Sequence, residues 1–138
     1  TAPLLMAAGG SGLAPILAML TDARGQGVSR PVTLLFGARQ QRDLYAMQAI
    51  EALARDWPAD FRFLPVLSDE PPRSTWAGER GLVTDVMDNL VAPNAHAYLC
   101  GPPPMVDAAR ALLQRHGLAA ADIHADRFTT LHDKPLAA

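Results

Sequence analysis

Two kinds of apolar segment alternate along this chain, and the alternation restricts its fold more than any other feature. Short, nearly unbroken apolar runs occur at Pro3–Ala8, Val32–Phe36, Phe61–Val66 and Ala95–Leu99, with a weaker one around Ile123, near Asp122–Asp126. Runs of that length read as strands covered on both faces. Between them, apolar residues recur at helical spacing: Leu13, Ile16, Leu17 and Leu20; Met47, Ile50, Leu53 and Ala54; Met105, Ala108, Ala109, Leu112 and Leu113. Pro15 falls in the first turn of the first helix, where a missing N–H leaves no bond unmade. His116 and Gly117 supply a C-terminal stop for the last. A weaker helix is expected from about Thr84 to Leu90. Repeated strand–helix pairs specify an α/β fold: a three-layer α/β/α sandwich around a five-stranded parallel sheet.

Bulk properties remove several function classes. With 138 residues, 49% of them hydrophobic, the chain has material for one core. Its net charge is −2 and its Lys and Arg residues are scattered, which is not the electrostatic footprint of a nucleic-acid binder. No apolar run reaches the ~20 residues of a membrane span; glycines and Pro15 break the nearest, Leu4–Leu20. Cys100 is the sole cysteine, so no internal disulfide and no iron–sulfur cluster of this chain's own is expected. A lone thiol fits a reducing, cytoplasmic compartment. The four histidines show no metal-ligand spacing, and no metal is expected.

In an open parallel sheet, ligands bind beyond the carboxyl ends of the strands, and the unusual residues of this sequence gather there. Gly9-Gly10-Ser11-Gly12 follows the first strand, Gly37-Ala38-Arg39 the second, Leu67-Ser68-Asp69 the third, and Cys100-Gly101-Pro102-Pro103 the fourth. The first loop offers backbone N–H groups and the positive end of a helix to an anion such as a phosphate. It is neither a Walker A loop nor G-x-G-x-x-G, because Pro15 takes the third glycine position. In "LCGPPPM", Gly101 permits close approach, and three prolines stiffen the path into the last helix. The long connection from Ser68 to Gly81, with two prolines and an isolated Trp76, is either a functional loop or a tolerated insertion.

Six segments occur in an order that resembles the pyridine-nucleotide domain of the ferredoxin–NADP reductase superfamily. They are "AAGGSGLAP" (Ala7–Pro15), "LLFGARQQRDLY" (Leu34–Tyr45), "VLSDEP" (Val66–Pro71), "WAGERGLVTD" (Trp76–Asp85), "AYLCGPPPMVDAA" (Ala97–Ala109) and "IHADRF" (Ile123–Phe128). Within that superfamily the chain looks most like the reductase components of bacterial multicomponent mono- and dioxygenases, of the phenol, toluene or methane monooxygenase type. The resemblance implies hydride transfer from NAD(P)H to FAD, whose electrons then pass to a 2Fe-2S centre and an oxygenase. It assigns Gly10, Ser11, Gly12 and Pro15 to the pyrophosphate and nicotinamide ribose, and Gly37 and Arg39 to the adenosine side, with Asp43 in the same loop. Cys100, Gly101 and Pro102 match the segment beside the nicotinamide, Met105 follows at the start of the last helix, and Phe128 matches the aromatic region near the flavin. Ser11 and Cys100 are then positioning groups at the hydride-transfer site, because the protein's contribution to that step is orientation and electrostatics.

The same resemblance sets expectations for what lies around this domain. Residues 1–128 form the NAD(P)H-binding domain and 129–138 a flexible C-terminal tail. The flavin-binding barrel and iron–sulfur domain have no counterpart in these residues, so the chain reads as part of a longer reductase, unable to turn over by itself. Expected partners are that flavin domain, a ferredoxin domain or protein, and the oxygenase. Arg39 and Arg42 can clasp a 2′-phosphate, but Asp43 repels one, and "GARxxxDL" looks like the NADH-using members. Cytochrome b5 reductase-like, flavohaemoglobin-like and deoxysugar-pathway reductases share these loops and differ in the electron acceptor. A receiver-like module needs an acidic pocket, and only Asp69 lies at a strand end. Trp57-Pro58 reads as a helix cap packed on the core, Trp76 as either a loop anchor or a cover for the site, and His124 and His132 as surface residues. Asp126 and Arg127 read as surface or interdomain contacts.

Overall fold

A computed structural model describes residues 2–128; the expected tail and His132 lie outside the described residues. Among the described residues, six parallel strands form one sheet: β1 (Leu4–Gly9), β2 (Val32–Ala38), β3 (Phe61–Leu67), β4 (Glu79–Arg80), β5 (His96–Gly101) and β6 (Ile123–Arg127). Their order is β4-β3-β2-β1-β5-β6. Strand β1 lies at the centre, with Met6 level with Leu34 on one side and Tyr98 on the other. All its residues are buried, as its unbroken apolar run requires.

Helices α1 (Leu13–Gly25) and α2 (Met47–Asp56) cover one face of the sheet, and α3 (Val83–Met87) and α4 (Pro103–Arg115) the other. Alternate residues of each strand therefore enter different cores. Leu4, Met6, Ala8, Leu34 and Phe36 pack with Leu13, Ile16, Leu20 and Ile50 on the first face. Leu5, Ala7, Leu35, Ala97 and Leu99 pack with Val83, Met87, Val106, Ala109 and Leu113 on the second. Trp57 ends α2, lies in the first core, and donates its indole N–H to the Arg30 carbonyl (2.8 Å). Gly117, at φ +92°, closes α4, and the Leu118 N–H returns to the Leu113 carbonyl (3.1 Å).

The sequence expectation of five strands is corrected by β4. Its two residues, Glu79 and Arg80, are exposed and polar, so no apolar run marks them. They pair with Val66 and Leu67 because the preceding loop folds back on itself. Helix α3 is also shorter than the expected 84–90. It begins at Val83, where the Asp85 carboxylate accepts the Leu82 N–H (2.9 Å), and ends at Met87 in a turn over 88–90.

Candidate functional site

The chain lays β2, β3 and β4 to one side of β1, then returns to place β5 and β6 on the other. The order reverses between β1 and β5, so the loops leaving these two strands part and open a crevice. Gly10 sits in the left-handed region at φ +55°, with open space around it, and starts the single turn Gly10–Gly12 that leads into α1. The Tyr45 hydroxyl donates to the Gly10 carbonyl (2.8 Å), and its ring stands edge-on to Phe36 (centroids 5.4 Å). Gly12 has a different task. A Cβ there would lie 2.1 Å from the Cys100 carbonyl oxygen, so α1 starts directly against the end of β5. Met105 lies over the switch point: a Cβ on Gly9 would stand 2.7 Å from its Sδ, and one on Gly101 3.0 Å from its Cε.

A cleft of about 620 Å³ opens from this point toward α3. Gly10, Gly37, Arg39, Asp43, Pro102 and Met105, all named from the sequence, line it. Ser11, Gly12, Pro15, Cys100, Gly101 and Phe128 do not. Gly12 and Cys100 are buried where α1 meets β5, and Phe128 packs on the same core as Cys100 and donates its N–H to the Gly101 carbonyl (2.7 Å). Ser11 and Pro15 are exposed on the loop and first turn of α1. The candidate residues thus form two groups, one in the cleft beside α3 and α4, the other around the start of α1. Trp76 stays with its loop, donating its indole N–H to the Glu79 carbonyl (3.0 Å), and does not line the cleft. His124 is exposed and stacks on Tyr98 (4.8 Å), and Arg127 pairs with Asp107 of α4 (3.0 Å).

The charges at the cleft are already engaged. Arg39 faces Asp69 at 3.4 Å, and Asp43 accepts the Gln40 N–H (3.0 Å), fixing its own turn. Glu70 accepts both the backbone N–H (3.0 Å) and the side-chain amide (2.6 Å) of Gln41. Those two bonds, with help from Ser74 and nearby Arg80, hold its carboxyl below the usual range. Burial pushes the Cys100 thiol up, and the negative charge of Asp126 adds to this, so the sulfur stays protonated and non-nucleophilic at neutral pH. Among the described residues, no three potential metal-ligating side chains gather.

The sequence placed Ser68 at a strand end, Pro104 in the proline run and Ala108 on the stripe of the last helix, but named none of them as a binding residue, nor any of Gly81–Thr84; all line the cleft. Tyr45, behind the Gly10 loop, was likewise missed. For Gly81–Thr84 and Tyr45 the only signal was membership of the ordered segments, since an exposed Leu82 or a lone tyrosine carries no spacing of its own.

Residues 6–111 match the family of oxidoreductase NAD-binding domains. The chain is 49% identical over 128 residues to the xylene/toluene monooxygenase electron transfer component of Pseudomonas putida, covering 92% of this chain and 37% of that protein. It is 41% identical to the propane 2-monooxygenase reductase component of Rhodococcus jostii, covering 93% and 36%. The Amycolatopsis reductase GcoB superposes with a TM-score of 0.83 at 36% identity, over 94% of this chain and 38% of that one. The chain therefore spans little more than a third of the length of the relatives it matches. A reversal point flanked by a glycine turn and a proline-led helix, found in a sequence matched along most of its length, identifies the chain as a member of the oxidoreductase NAD-binding domain family.

Proposed function

We propose that this chain is the nucleotide-binding part of an NADH-dependent flavoprotein reductase that delivers electrons to a multicomponent oxygenase. The observation that carries the reading is the cleft at the β1/β5 reversal, walled largely by backbone and apolar groups, with a left-handed glycine at its inner end. Its volume falls within the roughly 300–1,000 Å³ of small-molecule and cofactor sites. The adenosine half of the dinucleotide lies beside Gly37 and Arg39, and the pyrophosphate crosses Gly10 toward Pro102. The nicotinamide half leaves the cleft toward Ser11, Cys100 and Phe128, the group around the start of α1. A flavin held by another part of the same polypeptide would supply the hydride acceptor, and a 2Fe-2S ferredoxin domain or protein the one-electron acceptor beyond it.

No residue of this chain needs to move a proton for that step. Its residues bind and orient the nicotinamide carbon that gives up the hydride. Cys100 suits such a role, since a protonated, buried thiol packs without attacking the ring. NADH rather than NADPH follows from charge: Arg39 already faces Asp69, and Asp43 and Glu70 add negative charge to the turn that a 2′-phosphate would approach. Calorimetric titration of the chain with NADH and NADPH, with and without Mg²⁺, tests the reading. NADH is expected to bind more tightly than NADPH and without metal dependence. Absence of binding by both nucleotides overturns it.

A further inference from the structure

The connection over 68–81 has no apolar core of its own, yet its backbone is gathered around one guanidinium. Arg80 donates to the carbonyls of Glu70 (3.0 Å), Pro71 (3.2 Å) and Trp76 (3.2 Å) and to the Ser74 hydroxyl (3.2 Å). The Gly81 N–H closes the lobe onto the Leu67 carbonyl (2.8 Å). Only arginine has the five-donor fork to serve so many acceptors from one position. The ends of this lobe, Ser68 and Gly81–Thr84, are cleft wall.

The lobe is also fastened to the opposite wall. The Asp69 N–H bonds to the Arg39 carbonyl (2.8 Å), and the Gln40 amide to the Asp69 carbonyl (3.2 Å). The strongest tie is the Glu70 carboxylate, which takes both Gln41 donors at once, a charge-assisted, two-point contact. Gln41 opens the short turn Gln41–Asp43, whose neighbour Arg39 and last residue Asp43 line the cleft. Glu70 itself does not line it. The carboxylate is therefore placed to fix the geometry of the rim without contacting whatever binds there.

We infer that Glu70 is a positioning residue for dinucleotide binding: its two-point grip on Gln41 holds the Arg39–Asp43 turn at the rim, on a lobe organised by Arg80. The inference rests on the nucleotide-binding reading and places the effect on the adenosine half of the ligand. In the unfastened state the turn samples other positions, and part of the binding energy goes into reordering it.

The test measures Kd for ADP-ribose and NADH with the 138-residue chain and its Glu70→Ala, Gln41→Ala, Glu70→Gln and Glu51→Ala variants, each with a melting temperature. Losing one to two hydrogen bonds to a charged group at a partly solvated site predicts a fall in affinity of about five- to tenfold for Glu70→Ala. The same factor is expected for ADP-ribose as for NADH, with the melting temperature little changed. Glu70→Gln keeps one acceptor and is expected to recover part of the loss, and Glu51→Ala, on the exposed side of α2, to bind as wild type. If Glu70→Ala unfolds, Gln41→Ala, which removes only the side-chain bond, gives the answer with a loss of about two- to fourfold. Wild-type affinity in every soluble variant overturns the inference, as does a loss confined to NADH with ADP-ribose unaffected. Failure of the wild-type chain to bind either ligand is a distinct result, which overturns the nucleotide-binding reading itself.

Discussion

Replacing Gly12 by alanine tests whether the start of α1 is locked against β5. The added carbon would stand 2.1 Å from the Cys100 carbonyl oxygen, 2.5 Å from its carbonyl carbon and 3.0 Å from the Gly101 nitrogen. All three are backbone atoms, in a strand bonded to β1 on one side and β6 on the other, so no side chain can swing away. Relief requires the first turn of α1 and the end of β5 to separate by roughly 1 Å, which is expensive in a close-packed core. Overpacking of this kind costs about 3 kcal/mol, partly offset by the ~0.4–1 kcal/mol that alanine saves in the unfolded chain. With an unfolding entropy of about 2.1 cal/mol/K per residue, a net loss of ~2–3 kcal/mol lowers the melting temperature by roughly 7–10 °C. Two other glycines calibrate the result. Gly10→Ala meets open space but needs φ +55°, a cost of ~1 kcal/mol or 3–4 °C, and Gly25→Ala meets nothing and is expected to be neutral or slightly stabilising. Thermal unfolding followed by circular dichroism ranks the three. A Gly12→Ala chain that melts with wild type, or above Gly10→Ala, refutes the close contact between α1 and β5.

Three further expectations follow from charge, ionisation and backbone strain. Asp69→Asn frees the Arg39 guanidinium from its 3.4 Å partner and removes a negative charge, so affinity for NADPH is expected to rise by about three- to tenfold relative to NADH; an unchanged ratio in parallel titrations counts against the charge argument. The Cys100 thiol is pushed up by burial and then by Asp126, so the folded state keeps its proton beyond the alkaline pH at which the unfolded state releases it. Stability therefore declines as pH rises beyond that point, and urea midpoints at pH 7 and above 9 should differ less in Cys100→Ala than in wild type. The same burial makes the native thiol slow toward iodoacetamide, and denaturant fast. Ala46, immediately before α2, has φ +59° without being glycine, and Ala46→Gly is expected to raise stability by up to ~1 kcal/mol; a lower urea midpoint contradicts the strain.

The layer order and the strand ends beside which the cleft opens were legible because both rest on period and on turn residues. Leu4–Gly9 is apolar at every position, which only a central strand tolerates, and Gly10 and Pro102 of the cleft directly follow β1 and β5. What escaped was held by single polar contacts that leave no period. Strand β4 exists because Arg80 gathers the carbonyls of an exposed loop, and neither Glu79 nor Arg80 looks like a strand residue. Tyr45 supports the Gly10 carbonyl from 35 residues away, a distance no local pattern spans. The glycines show the limit most clearly. Gly10 and Gly12 stand two positions apart in one loop and read alike as room for a ligand. Folded, the first takes a left-handed angle at the cleft, and the second yields its side-chain space to the backbone of β5. A ligand cleft and a helix–strand contact both demand that a side chain be absent. Only the register of α1 against β5 decides which demand each glycine meets, and that register is set by cores on both faces of the sheet.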